Sequence, residues 1–281
     1  MILTGSYNDK SNLNKVTEFM VNNSKNEQGK YLSNHIWVNK INDPNILTLV
    51  DSIRTSNEII DTFKKQFPKY KIKNVTESDE IYFAVSPKDA NGSDRSLVDC
   101  HYDAPFSILP NFNILFYRII LACNENNHVT TIFPNDDVKV KMNTGDFHGL
   151  DYNKDYHCVD GQIPPNKNRV LLKLHYLLVP EENSSDLAEK FVRFSNTKWT
   201  SLSRDFMRMS SHPNNIFEYI AGSLVNISRF VFNNMYILLF IIILLCIYFY
   251  KPCNTYITKK FKSIISNLPH GNYNHYYQQW M

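Results

Sequence analysis

Glycine and cysteine are scarce in this chain of 281 residues, at eight and five, and no two cysteines form a C-x-x-C pair. Thiols so few and scattered exclude a disulfide-rich scaffold, and the missing C-x-x-C removes the usual spacing of a structural zinc site. Three of them, Cys100, Cys123 and Cys158, precede a long apolar run near the C-terminus. That odd number favours a reducing compartment. A charge excess is also lacking: 30 basic and 27 acidic side chains leave +3, so nucleic acid is not expected as a partner. Residues 1–15, MILTGSYNDKSNLNK, lack the apolar core of a signal peptide. No internal repeat is visible. Asn, Lys, Ile and Tyr are abundant instead, which makes the Asn-x-Ser/Thr sequons at Asn74, Asn91 and Asn183 weak markers.

The apolar run is long. Residues 235–250 read MYILLFIIILLCIYFY, and adding 230–234 gives a stretch long enough to cross a hydrocarbon core of about 30 Å as a helix. The expectation is a single C-terminal transmembrane helix at 230–250, with the membrane as a partner. Lys251, Lys259, Lys260 and Lys262 follow the run and only Arg229 closely precedes it. The positive-inside rule would then put the large domain in a lumen. The missing signal sequence points the other way, to tail insertion with that domain on the cytosolic face, and this second placement is the expectation.

Upstream, 1–42 is polar, with a short helix around 13–21. Asp43-Pro44 opens a helix or helix pair reaching about residue 67, since Asp43 can cap and Pro44 suits the first turn. Strands follow at 69–75 and 80–85. Between 97 and 179 come short strands, at 97–103, 113–123, 129–133, 138–142, 156–159 and 169–179, separated by turn residues. This spacing suggests a β-sandwich or barrel-like β-helix rather than a Rossmann fold. The boundaries expected are therefore a polar segment 1–42, a domain 43–182 with its core at 97–179, an amphipathic helical linker 183–229 (helix at 186–209), the span 230–250, and a basic, aromatic tail 251–281.

The chemistry concentrates in a few polar residues of this middle region. His101 and Asp103 form H-x-D at the end of a strand, where the period of two points both side chains to one face and turns Cys100 away. Beyond Gly145-Asp146, with Gly145 suited to a tight turn, His157 offers a third ligand. His148 is its rival, although its setting reads as strand entry. Two imidazoles and one carboxylate with open positions suit a non-heme Fe(II) site. In the strand RVLLKLHYLLV, alternation puts Arg169, Lys173 and His175 on one face. Two cations on an apolar strand need anionic partners, and a bound dicarboxylate could be one.

The run 101–179 resembles the 2-oxoglutarate- and Fe(II)-dependent dioxygenases, including prolyl-hydroxylase-like members. H-Y-D, the T-x-F strand Thr131-Ile132-Phe133, G-D, H-C-V and N-R-V-L-L occur in that family's order. His157 lies 54 residues after Asp103, and Arg169 lies 12 after His157. Asn126-Asn127-His128-Val129 stands where the commonest pattern has Gly-Gly. The resemblance implies a mainly β fold with flanking helices, a double-stranded β-helix or jelly roll. It implies His101, Asp103 and His157 as Fe(II) ligands and Arg169 as partner of the distal carboxylate of 2-oxoglutarate, with O2 as second co-substrate. Lys173 shares the Arg169 face, and Tyr117 or Arg118 on the preceding strand could help to line that pocket.

The function expected is thus a membrane-anchored dioxygenase hydroxylating a substrate the sequence does not name: peptidyl, lipid or small molecule. Two alternatives stand beside it, a non-catalytic β-sandwich membrane protein with a binding or structural role, and a cupin-like metal enzyme without 2-oxoglutarate.

Overall fold

Alternation along 168–180 decides the architecture, because both faces of that strand are buried and each meets a different layer. A computed structural model describes residues 2–25, 27–86, 100–104, 113–182 and 185–202, with 216, 220 and 259 beyond them. The chain divides into two compact units, Met1–Asp205 and Phe206–Met281. The elements of the first unit are β1 (Leu3–Ser6), α1 (Lys10–Asn23), β2 (Asn34–Trp37), α2 (Pro44–Arg54), α3 (Asn57–Gln66), β3 (Tyr70–Asn74), β4 (Glu80–Val85), β5 (Leu115–Ala122), β6 (Asn126–Phe133), β7 (Val138–Met142), β8 (Asp146–Asp151), β9 (Cys158–Gly161), β10 (Asn168–Pro180) and α4 (Asp186–Phe194).

A seven-stranded antiparallel sheet runs β1-β8-β5-β10-β4-β2, with β3 pairing the far half of β10, and a three-stranded sheet runs β7-β6-β9. The result is mainly β with flanking helices and jelly-roll-like. On one face of the large sheet, Val170, Leu172, Leu174, Tyr176 and Leu178 of β10 meet Leu13, Val16, Ile46, Val50, Ile53 and Phe63 of α1–α3. Phe63 sits against Tyr176 and Tyr117, at ring distances of 4.8 and 5.8 Å. Losing such a fully buried ring by Phe→Ala costs about 3–5 kcal/mol. The other face carries Tyr82, Ala84, Ile120, Ala122, Leu150 and Leu171 toward Phe133 and Met142 of the small sheet. The polar residues of interest share this inner face.

Local signals explain the helix starts and one turn. Asp43 caps α2 by accepting from the amides of Asn45 and Ile46, and Pro44 occupies the first turn. The helical stretch expected from 43 to 67 is a pair, broken at Thr55-Ser56. Gly145 turns the chain between β7 and β8 at φ +95°, where a Cβ would meet the carbonyl oxygen of Tyr7 at 2.6 Å.

Several expectations are corrected. The polar N-terminus contains an edge strand, β1, paired with β8. The helix expected at 186–209 is α-helical over Asp186–Phe194, passes through a π-helical turn, Ser195–Trp199, and is helical again at 200–202, with 203–209 outside the described residues. Cys100 and Cys158 form a disulfide, so the odd number of cysteines no longer argues for a reducing compartment. Closing that loop, with a sequence separation of 58, disfavours the unfolded chain by about 4 kcal/mol. The single-pass membrane placement is not returned either: among the described residues no helix is long and apolar enough to cross a membrane. The run 230–250 on which that reading rested, the remainder of the linker after 202 (apart from 216 and 220), and the tail (apart from 259) lie outside the described residues.

Candidate metal centre

His101 and His157 face each other across a short antiparallel bridge, exchanging backbone hydrogen bonds of 2.9 and 3.0 Å. Directly opposed residues project to the same face, so the two imidazoles meet, with ring centroids 4.6 Å apart. Asp103, two residues on, returns to that face and is buried. One ligand atom from each of His101, Asp103 and His157 lies within 4.8 Å of the others. Bonds of about 2.0–2.2 Å to one ion hold ligand atoms no more than about 4.4 Å apart, a span comparable to that of this group.

The donor set fits a divalent cation. The His157 Nδ1 lies 3.1 Å from the carbonyl oxygen of Asp155, which can only accept. That contact puts the proton on Nδ1 and leaves the Nε2 lone pair for a metal. Burial pushes the His157 imidazole below its ordinary value, with Asp103 opposing the shift, so the ring is neutral as a ligand must be.

Asp103 is also held from the large sheet. Arg118 places Nη1 2.8 Å from Asp103 Oδ2 and donates from Nε to His175 Nε2 at 2.9 Å. Because guanidinium only donates, His175 Nε2 accepts and its Nδ1 faces Asp79 Oδ1 at 3.2 Å as donor. Asp79 is in turn gripped by Arg54 of α2 through Nε and Nη2. The β5–β10 register makes the middle of this chain, since Arg118 stands opposite His175. Burial, with Arg118 adjacent, holds His175 below its ordinary value, in keeping with a neutral ring.

The β4–β10 register places Lys173 opposite Glu80, and they pair at 2.6 Å. Burial alone would raise the Glu80 carboxyl, but Lys173, His35 and Arg118 hold it well below the carboxylate range. The charge of Lys173 is therefore met within the protein, not left for a cofactor. Arg169 differs. It is buried, donates from Nε to Asn126 Oδ1, and among the described residues pairs with no carboxylate. Burial pushes it down to about 10, still charged at neutral pH. The amide nitrogen of Asn126, also buried, has no partner among the described residues. Lone pairs from an anion would satisfy both.

Tyr117 is not part of this group. It points to the helices and packs on Phe63 and Phe67, while Arg118, its neighbour, faces the site. His148 lies inside β8, fully buried, with Nδ1 against Met142 Sδ at 3.2 Å and Nε2 without a partner among the described residues. It does not join the three-ligand group. Burial pushes it down to about 3. Sequence reasoning does not single out Asn126 or His175 as site residues; for Asn126 the only signal is its place in the strand that lacks Gly-Gly.

No protein-family model and no curated protein matches the chain. Among solved structures, it is similar in fold to the non-heme α-ketoglutarate-dependent epimerase SnoN of nogalamycin biosynthesis, at 8% identity and TM-score 0.43, over 65% of this chain and 82% of that one. A viral collagen prolyl hydroxylase from Paramecium bursaria Chlorella virus-1, in complex with 2-oxoglutarate, aligns at 11% identity and TM-score 0.42, over 63% and 95%. A prolyl hydroxylase from Trichoplax adhaerens, bound to a hypoxia-inducible-factor peptide fragment, aligns at 11% and TM-score 0.40, over 63% and 82%.

Proposed function

We propose that the chain is an Fe(II)- and 2-oxoglutarate-dependent dioxygenase with a double-stranded β-helix core. The observation that carries this reading is the meeting of His101, Asp103 and His157 within 4.8 Å on one inner face. His101, Asp103 and His157 hold the metal, with His157 fixed in the required tautomer by Asp155. Arg169 takes the distal carboxylate of 2-oxoglutarate, which its planar fork suits. Asn126 orients Arg169 from the other side. Arg118 occupies one oxygen of Asp103 and leaves the other for the metal. Iron and 2-oxoglutarate, when bound, supply the activation of O2; the protein supplies ligands, orientation and a buried setting.

The test is release of succinate from 2-oxoglutarate by the purified full chain with Fe(II) and O2. Turnover that disappears in His157→Ala supports the reading; no turnover by folded protein at full metal occupancy sinks it.

A second reading is favoured by one contact, Arg118 with Asp103 at 2.8 Å. A built-in guanidinium could replace the metal and leave a binding or structural protein. Such a protein would take up no Fe(II), and Arg118→Met would then unfold it whether or not metal is supplied.

A further inference from the structure

The two histidines of the proposed metal site are the middle pair of three. Cys100 is bonded to Cys158, His101 is bridged to His157, and the ring of Tyr102 lies 5.0 Å from that of Tyr156. Because His101 and His157 exchange both backbone hydrogen bonds, the pairs on either side are the close, non-hydrogen-bonded kind. The cysteine Cα atoms are accordingly 4.1 Å apart. Side-chain alternation then puts the disulfide and the tyrosine pair together on the face away from the ligands. Backbone hydrogen bonds tie 100–104 to the fold at His101, twice, and at Ala104, whose amide reaches the carbonyl of Tyr152.

We infer that the Cys100–Cys158 disulfide is a positioning element of the metal centre: it clamps the reverse face of the His101–His157 pair and thereby sets metal affinity. This rests on the proposed metal site. Opening the bond frees the two ligand-bearing segments from each other without adding ligands, since both thiols stay on the far face. A reductant of the dithiol class suffices. One of its sulfurs attacks Cys100 or Cys158 Sγ and displaces the other, and its second sulfur resolves the mixed disulfide. Two electrons and two protons pass, leaving two cysteine thiols and an oxidised dithiol. Cys100 is exposed and Cys158 half-buried, whereas Cys123, the free thiol among the described residues, is buried and far less open to attack.

The experiment uses the full chain with Co(II) as probe, oxidised or reduced by a dithiol then removed under inert gas. Reduction, verified as two new alkylatable thiols, is expected to weaken Co(II) binding about 10- to 100-fold and to alter its visible spectrum. Cys100→Ser/Cys158→Ser should bind as weakly and ignore reductant, while Cys123→Ala should respond as the parent does. Should the reduced or doubly substituted protein fail to fold, the redox equilibrium decides: coupling is reciprocal, so saturating Co(II) must shift the disulfide–dithiol equilibrium toward the bonded form by the same factor. Equal affinity and spectrum in both redox states, or an equal disulfide–dithiol equilibrium with and without Co(II), overturn the inference and leave the metal reading intact. Folded, oxidised protein that takes up no Co(II) overturns both.

Discussion

Arg118 Nη1 stands 2.8 Å from Asp103 Oδ2, so the carboxylate of the H-x-D pair is held by the opposite sheet. The same guanidinium binds His175, which leans on Asp79, which Arg54 grips at the end of α2. An ordered row of polar side chains thus links the helical layer to the proposed metal ligand. It also changes the charge balance. Arg118 answers Asp103 and Lys173 answers Glu80, whereas Arg169, on the same face, pairs with no carboxylate among the described residues.

Removing Arg118 should therefore expose the conflict between ion pair and metal. Arg118→Met strands a buried Asp103 and is expected to destabilise the metal-free protein by about 3–5 kcal/mol. A divalent cation can replace the lost charge, so Co(II) should narrow the gap in melting temperature between variant and parent. The check is thermal unfolding with and without metal. A gap that stays constant argues against metal at Asp103.

Arg169 is expected to act on the co-substrate alone. Arg169→Ala should weaken 2-oxoglutarate binding to the Co(II)-loaded protein about 10- to 150-fold, the worth of about 1.5–3 kcal/mol for a charged hydrogen bond. Metal affinity should stay unchanged. Calorimetric titration of both ligands separates the two, and an equal loss of metal would move Arg169 out of this role.

His148 predicts an acid limit. Its folded-state value of about 3 lies below the ordinary 6.5, so both states are deprotonated above pH 6.5 and its stability is intact there. Below 6.5 the unfolded chain binds the proton first, and stability falls by about 1.4 kcal/mol per pH unit until the folded value is reached. His157 and His175 shift in the same direction and steepen the decline. His148→Leu should flatten the profile between pH 6.5 and 4 in denaturant titrations; an unchanged slope would refute the assignment.

Much of this centre was legible because strand alternation is a short-range rule. It put His101 and Asp103 on one face and Arg169, Lys173 and His175 on another, and both groupings are present in the fold. The reading left Tyr117 and Arg118 open as lining residues without fixing the phase of β5, whose inward positions are Arg118, Ile120 and Ala122. What stayed hidden depends on partners far away in sequence. The Cys100–Cys158 bond needs the cross-strand register of two segments separated by 58 residues, which no local pattern encodes. The Glu80–Lys173 and Arg118–His175 pairs likewise follow only from the antiparallel register of β4 and β5 on β10. β1 was missed because a four-residue edge strand leaves almost no periodicity to read.

The most direct measurement is a Co(II) titration of the oxidised full chain beside His157→Ala and His148→Ala. The account predicts one bound ion per parent chain, retention in His148→Ala, and loss in His157→Ala. Loss in His148→Ala with retention in His157→Ala, or no binding by folded parent protein, would contradict it.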